Sequence, residues 1–538
     1  MKEMWKVLDA QRAETEAHPF FKWLSSDEVP LDERFVFTPV LIDFVMGFAD
    51  LNKWFLRYSD PGSDWEHAIN EHTSEDATHS LLFVQNWTHL NIGDTPEWPA
   101  SKALWWMFQA NDCLVVRRLG MAILDLSVRF PDPLVRFPIM EAIEICGDIF
   151  FGHSTRIAER IMEQQQVDHV YYGPYHRARE TGHLQADEGS FVSAQLSPDQ
   201  RREAEGGVRA VFGQFRGLFD HLLDFSLRAT SDPASLARAI DREYALALSP
   251  AEPRAEPARR EAPQYQPRAR AGRVHPEQAP LLGLLDERRA RLGRHGLVSS
   301  LQAGPFALER LQNFAPIWGV DVVSYRDFNE LVLRYPQPST DAERTINRWS
   351  RDLASHGRLY LRDWKTLGLD ELLGWRMGDA VTYYFLSEHT EVHRRNMSKV
   401  KKLAMAHRAP LSRWWLMLAL EQSGDVLFEA IRPLALALEA ELGAPLDYWA
   451  YRHGLVEPGE RDAAPHAFLE DDITPREAHV IRHIIGTVFD NIEEQFDQCD
   501  RLLHERVFST RASSLPPHPS HIAELVRARH AAITATSA

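Results

Sequence analysis

The sequence predicts an all-α protein composed of two tandem helical bundles. An internal repeat with a constant offset of 277 residues, the separation of Phe37 and Phe314, indicates that one domain occurs twice. Apolar residues recur with the helical period, and no stretch shows the sustained alternation typical of a β-strand. A segment rich in proline and arginine separates the two copies, as expected for a linker.

Identical residues anchor the repeat without a gap. The tripeptide Leu-Arg-Tyr at 56–58 recurs at 333–335, and the matches concentrate in tryptophan, histidine and proline, which a chance alignment would not favour. Further identical pairs are Asn52 and Asn329, His79 and His356, Trp87 and Trp364, Glu144 and Glu421, Pro198 and Pro475, and Phe219 and Phe496. We infer an internal duplication.

Three long segments of the first copy carry the helical pattern. Residues 105–130, 133–162 and 198–226 place apolar side chains at positions i, i+3, i+4 and i+7. Ser197 and Thr474 each precede a proline, which combines a capping hydroxyl with proline at the first helical position. Each copy is expected to be a bundle of about seven helices.

These patterns divide the chain into four parts. Residues 1–248 are expected to form the N-terminal bundle and 296–510 a C-terminal, degenerate copy of it. Residues 249–295 are expected to be a flexible linker, because prolines and arginines are frequent there and apolar residues scarce. Residues 511–538 are expected to be a disordered tail, with a short helix at 522–533 as an alternative.

Composition limits the classes of function. The 538 residues are 44% hydrophobic, enough for more than one core, and the formal charge of −17 argues against general binding to nucleic-acid phosphates or to anionic membranes. Cys113, Cys146 and Cys499 form no C-x-x-C pair, so neither a disulfide framework nor a thiolate zinc site is expected. We predict a soluble, cytoplasmic protein with no signal peptide and no membrane-spanning segment.

Residues 69–79 contain the most informative pattern in the chain. At about 100° per residue, His72, Glu75, Asp76 and His79 fall on one face of a helix. Such a face is either a candidate ligand set for metal ions or a solvated, salt-bridged surface.

A second segment repeats this pattern. His176, Glu180 and His183 share one helix face, and Glu144 lies between the two segments among isoleucines and phenylalanines, where a carboxylate needs a cation. Two ferrous or manganous ions take mixed imidazole and carboxylate ligands from facing helices, often as an Asp/Glu-x-x-His unit. The unit occurs twice here, ending at His79 and at His183.

The repeat retains part of this set. Glu75, His79, Glu144, His176 and Glu180 have chemically similar counterparts, which are Asp352, His356, Glu421, His453 and Glu457. Three groups are lost: Trp349 stands for His72, Leu353 for Asp76 and Glu460 for His183. We therefore expect metal in the first copy and weak or no metal binding in the second, whose roles would be packing, dimerisation or shaping a substrate channel. Buried His–carboxylate pairs that hold helices together in both copies are the structural alternative.

The arrangement resembles the haem-oxygenase-like diiron oxidases and oxygenases. In that family one core helix carries Glu-x6-His, a second a lone Glu, and a third His-x3-Asp/Glu-x2-His. His176, Glu180 and His183 match the third pattern, Glu144 the second, and His79 the histidine of the first. His72 departs from the family at the first glutamate, so His72 itself, Glu75 or Asp76 is expected to complete that helix, or the site is altered.

The resemblance implies an oxidoreductase that holds two iron ions, with manganese as an alternative metal, and uses O2 as cosubstrate. Family members catalyse N-oxygenation, desaturation or oxidative C–C cleavage of small amino- or carboxyl-bearing metabolites in specialised metabolism. The expected partners are therefore a small-molecule substrate and an electron donor, with no nucleic acid and no membrane. The chain is expected to be a monomer with an intramolecular pseudo-dimer, or a homodimer.

Other classes of function remain open at this point. A metal-free, thiaminase-like enzyme would need a cysteine nucleophile beside a carboxylate, but Cys146 points about 200° away from Glu144 on a helix. A non-catalytic tandem helical interaction protein is the third class. Haem bound through one axial histidine would leave the neighbouring carboxylates unexplained.

Overall fold

The computed structural model describes most of the chain. It covers residues 1–76, 79–87, 90, 95–183, 194–249, 274–302, 307–451 and 468–508. Within these ranges the secondary structure is helical and contains no β-strand, which confirms the all-α prediction. The side chains of Glu75, Asp76 and residues 179–183 lie outside the description, as does the tail at 511–538.

The first part of the chain consists of eleven described α-helices. They are α1 (Lys2–Glu16), α2 (Pro19–Ser25), α3 (Thr38–Leu51), α4 (Asp64–Asp76), α5 (His79–Trp87), α6 (Ala100–Gln109), α7 (Leu114–Arg129), α8 (Pro133–Gln165), α9 (Pro174–His183), α10 (Pro198–Ser231) and α11 (Pro233–Leu248). Short 3-10 helices lie at Leu31–Glu33 and Thr95–Glu97, and a π-helical turn lies at Asn52–Leu56.

The remaining described helices follow in the same order. They are α12 (Ala279–Leu292), α13 (Gly296–Gln302), α14 (Ala307–Asp327), α15 (Asp341–Leu353), α16 (His356–Thr366), α17 (Leu369–Leu373), α18 (Met377–Leu386), α19 (Glu388–Ala406), α20 (Pro410–Leu442) and α21 (Pro475–Glu505). A second π-helical turn lies at Phe328–Leu333.

The described chain forms two compact units. The first unit comprises Met1–Arg242 together with Trp375–Leu386, and the second comprises Glu243–Gly374 together with the chain from Ser387 onward. Helix α18 therefore belongs to the first unit, where Phe385 stacks on Phe108 with 5.8 Å between ring centroids. The first unit thus includes a helix that comes much later in the sequence.

Helix bounds follow the sequence repeat. Shifting α4, α6 and α8 by 277 residues reproduces the bounds of α15, α18 and α20 at both ends. Local contacts follow too, since the Tyr58 N–H donates to Asn70 Oδ1 at 2.8 Å and the Tyr335 N–H to Asn347 Oδ1 at 2.7 Å. The two copies share a backbone framework.

A π-turn ends α3 and sets the direction of α4. Its wider winding leaves the Leu56 carbonyl outside the normal helical ladder, and Arg136 Nη1 on α8 donates to this carbonyl at 2.8 Å. Arg413 Nη1 makes the equivalent bond to the Leu333 carbonyl at 2.6 Å. The buried arginine fixes the start of the segment that carries His72.

Helix starts confirm the capping prediction. The Ser197 hydroxyl accepts from the Gln200 N–H and the Gln200 side chain accepts from the Ser197 N–H, which together form a capping box with Pro198 at the first position. Thr474 and Glu477 form the same box at the start of α21.

The predicted linker is wrong over its second half. Residues 279–292 form α12, with Leu281, Leu282, Leu285 and Leu292 buried in the second unit. These leucines share one helix face, and their burial stabilises the helix in the core. The neighbouring arginines each pair with an acidic residue of another helix, so their charges are compensated. Residues 250–273 lie outside the described chain.

No described helix is both long enough and apolar enough to cross a membrane. Of the long helices, α10 and α21 are amphipathic and bury one side. Helices α8 and α20 are buried all round over residues 142–146 and 412–419, so these stretches lie inside their bundles.

Candidate metal centre

The candidate centre lies in the first unit, where α4, α5, α8 and α9 meet. Glu144 is near the middle of α8 and is buried between Ile143 and Ile145. Helix α4 packs against α8, and α9 packs against α8 as well. Residues far apart in sequence therefore converge on one helix.

His72 and Glu144 form a direct contact between α4 and α8. His72 Nε2 lies 3.2 Å from Glu144 Oε1, and both side chains are largely buried. Burying a carboxylate is costly unless a partner compensates its charge. The contact places His72 beside Glu144, at the centre of the predicted ligand set.

His79 and His176 form a second pair, between α5 and α9. Their ring centroids lie 4.5 Å apart with an interplanar angle of 70°. His176 is fully buried and its Nδ1 lies 2.7 Å from the Tyr171 carbonyl oxygen. Because a carbonyl only accepts, Nδ1 carries the proton and Nε2 has the lone pair of the neutral ring, which is the arrangement a metal-ligating imidazole needs.

Both pairs border one cavity. It has a volume of about 80 Å³, and His79 and Glu144 are among its lining residues. Its other lining residues are mostly apolar and include Phe44, Phe48, Phe150, Phe151, Phe215, Phe219 and Tyr171. Phe150 stacks on Phe219, and His79 on Phe48, so the wall is made of closely packed rings. His79 and Glu144 are therefore polar groups in an otherwise mostly apolar lining, and each contacts a further histidine, His176 and His72.

Half of the predicted ligand set lies outside the described side chains. Glu75 and Asp76 end α4, and Glu180 and His183 lie in the last turns of α9, but only their backbone is described. Among the side chains that are described, no three of the types His, Cys, Asp and Glu are grouped closely enough to hold an ion. Four predicted residues are thus brought together, as two contacting pairs.

The donor set fits two metal ions in its chemistry. His72, His79, His176 and Glu144 supply imidazole nitrogen and carboxylate oxygen from four helices, which is the mixture that ferrous and manganous ions take. The Tyr171 carbonyl supplies the outer-shell hydrogen bond that orients a ligating imidazole.

Glu141 was missed by the sequence prediction. It lies one turn before Glu144 on α8, and burial, followed by the nearby charge of Glu144, raises its pKa to about 7. The interaction with His72 acts in the opposite direction and offsets part of this increase in pKa. Its counterpart in the repeat is Leu418, and this loss of a carboxylate is the signal that could have revealed it. A second carboxyl group therefore stands beside the His72–Glu144 pair.

The second unit does not retain this arrangement. Trp349, which replaces His72, is buried, and Leu353, which replaces Asp76, lines a cavity beside His356 and Glu421. A His–carboxylate pair that merely held helices together would be expected in both copies, yet the position of His72 has become an indole. His453, Glu457 and Glu460 lie outside the described residues.

The cysteines are poor nucleophiles. Cys146 and Cys499 are fully buried, and burial raises the pKa of both thiols well above the usual range, so little reactive thiolate forms. Cys499 Sγ lies 3.6 Å from His393 Nε2, and His393 Nδ1 pairs with Asp321. This order resembles a nucleophile, base and orienting acid, but the fully buried thiol has no access to substrate.

Comparisons with known proteins give no family for this chain. No protein-family model matches the sequence, and no match was found among curated proteins. The assignment of a function therefore depends on the geometry of the site.

Proposed function

We propose that this chain is a non-haem diiron oxygenase or oxidase with two tandem haem-oxygenase-like bundles. The observation that carries the proposal is the convergence of the His72–Glu144 and His79–His176 pairs beside one apolar cavity. Substrates would be small amino- or carboxyl-bearing metabolites that undergo N-oxygenation, desaturation or oxidative C–C cleavage. A cytoplasmic location and an external electron donor are parts of the same proposal.

His72, His79, Glu144 and His176 would hold the metal ions, and Glu75, Asp76, Glu180 and His183 would complete the ligand set. When bound, two ferrous ions supply the electrons that reduce dioxygen. Manganese is the alternative metal because it takes the same ligand types.

The protein's own residues contribute orientation and exclusion of water. The Tyr171 carbonyl holds the His176 ring in one tautomer, and the phenylalanine side chains of the cavity wall give His79 and Glu144 an apolar surrounding. Glu141, with its raised pKa, can hold a proton on its carboxyl group beside Glu144 at neutral pH. These features suit a reaction on a small molecule held in the apolar chamber.

Iron content after loading tests the proposal. Full-length protein is loaded anaerobically with ferrous iron, desalted and analysed for metal, with an expected content of about two ions per chain, as in di-iron bundles. Glu144→Gln and His176→Ala should each lower this content about tenfold or more, because loss of a group that only supports a ligand already weakens metal affinity by about 10–100-fold.

The repeat supplies matched controls. Glu421→Gln makes the same chemical change at the equivalent position and should leave the iron content unchanged. Wild-type protein that retains no iron or manganese, or equal iron loss in both glutamine variants, would overturn the proposal.

A further inference from the structure

The second unit contains a cavity of about 110 Å³ whose wall has diverged from that of the first unit. Asp321 stands where the first copy has Phe44, Gln495 where it has Leu218, and Asn396 where it has Leu119. A water molecule needs about 10–15 Å³ on this scale, so a small organic molecule fits. The second cavity has gained polar groups at positions that are apolar in the first.

Carboxylates give this cavity a negative wall. Asp321, Glu421 and Asp425 line it, and neither lysine nor arginine occurs among the described lining residues. Asp321 is held in place by His393 and by Gln495, while Asp425 accepts a hydrogen bond of 2.7 Å from the Tyr451 hydroxyl. Carboxylates beside an apolar cavity are stabilised by a cation.

The buried amide oxygen of Gln495 points to a missing hydrogen-bond donor. Gln495 is 3% exposed, and its Nε2 donates to both oxygens of Asp321 at 3.1 and 3.3 Å. Among the described residues, Gln495 Oε1 and Asn491 Nδ2 have no hydrogen-bond partner, although both side chains are buried and line the cavity. Since buried polar atoms are nearly always paired, a bound molecule with polar hydrogens would satisfy Gln495 Oε1.

Aromatic rings form much of the remaining wall. They belong to Trp318, Tyr325, Phe428, Tyr448 and Tyr451. Burial and the nearby charges of Glu421 and Asp321 raise the pKa of Tyr325 well above its usual range, so its phenol stays neutral. Neutral aromatic faces attract organic cations.

We propose that the cavity of the second unit binds a small organic ammonium ion, independently of the metal chemistry proposed for the first unit. Asp321 and Glu421 supply the negative charge, and Gln495 Oε1 accepts a hydrogen bond from the ammonium group. The aromatic rings contact its carbon atoms. The second copy is thus a ligand-binding module rather than an inactive remnant.

Calorimetric titration of the full-length protein tests this assignment. The probe is benzylamine, which is protonated at pH 7, and benzyl alcohol is its neutral analogue of similar shape. Benzylammonium should bind, and Glu421→Gln and Asp321→Asn should each weaken binding about tenfold or more, the loss expected for one charged hydrogen bond. Glu441→Gln, an equal charge change at an exposed position of the same helix, should leave the affinity unchanged.

Three results would overturn the proposal. They are absence of binding at about 10 mM probe, equal binding of benzyl alcohol, or unchanged affinity in both cavity variants. Circular dichroism checks that the variants are folded, and Glu421→Gln decides the matter if Asp321→Asn unfolds, since Glu421 is only partly buried. Iron content is measured separately, so failure of this proposal and failure of the diiron proposal are distinguishable.

Discussion

At the scale of single residues, the His72–Glu144 contact decides how the site departs from the pattern of the proposed family. A carboxylate stands at the position of His72 in the family, whereas this chain places an imidazole 3.2 Å from Glu144. In the metal-free protein His72 compensates the charge of Glu144, because a histidine can donate a hydrogen bond to a carboxylate or carry the opposite charge. A glutamate there would place two carboxylates side by side, which a metal ion between them or a shared proton would stabilise.

His72→Glu is expected to destabilise the metal-free protein and to increase its stabilisation by ferrous iron. Two facing carboxylates repel each other, and an ion that binds only the folded state stabilises it by mass action. Thermal unfolding with and without iron measures both effects. Glu71→Gln, at an exposed position of the same helix, is the control. A variant whose midpoint does not respond to iron would contradict the proposed role of position 72.

Because the pKa of Glu141 is raised, we expect the stability of the metal-free protein to depend on pH. Its pKa is about 7 in the folded chain, above the ordinary 4.5, so the folded state binds the proton more tightly than the unfolded state. The stabilisation that proton binding to Glu141 gives the folded state is complete below pH 4.5 and is lost as the pH rises through 7. Glu141→Gln should therefore stabilise the protein at pH 8, by on the order of 3 kcal/mol, and have little effect at pH 4.5.

Urea unfolding of the metal-free variant and wild type at both pH values checks this sign. An equal stability difference at pH 4.5 and pH 8 would show that the carboxyl group does not titrate as described. Glu71→Gln again serves as the exposed control, since it makes the same substitution on a neighbouring helix.

At the scale of elements, α12 is the clearest difference between sequence and structure. Its span corresponds to α1 shifted by 277 residues, so it is the first helix of the second copy rather than part of a tether. The proline- and arginine-rich context suggested a linker, but the four buried leucines place the helix in the core. Helix α12 packs against both α20 and α21, the two long helices of the second unit.

Leu285→Ala is expected to destabilise the second unit by about 2–5 kcal/mol, the usual cost of removing a buried leucine side chain. Leu246→Ala is the matched control, because Leu246 is 75% exposed and its truncation leaves no cavity. Denaturant unfolding of the full chain compares the two variants. Equal, small effects would mean that α12 is not part of the core.

At the scale of the whole molecule, one framework carries two different cavities. The helix bounds, the buried arginine bonds at the π-turns and the capping boxes recur at the repeat offset, so these features depend on residues that both copies keep. The groups lining the cavities recur only in part: His79 and Glu144 have His356 and Glu421 as identical counterparts, whereas Phe44 and Leu218 have been replaced by Asp321 and Gln495. The duplication has preserved packing while the two interiors acquired different chemistry.

The first unit is also discontinuous in sequence. Helix α18 belongs to the second copy by sequence but packs on α6 within the first unit. Just before α18, the backbone of Arg376 forms an isolated β-bridge with that of Pro99. A fragment ending at residue 248 therefore lacks part of its own core, so the experiments above use the full chain.

The sequence by itself determined the helical class, the internal repeat and two helix starts, and it singled out four residues that form two contacting pairs. These follow from local properties: apolar periodicity, capping groups and the spacing of His and Glu on one helix face. Only the tertiary structure decided that His72 pairs with Glu144, that Glu141 has a raised pKa, and that α12 is core. The first two outcomes depend on distances between residues remote in sequence, which packing of the helices creates and no local pattern encodes. The burial of α12 depends on the two long helices against which its leucine face packs.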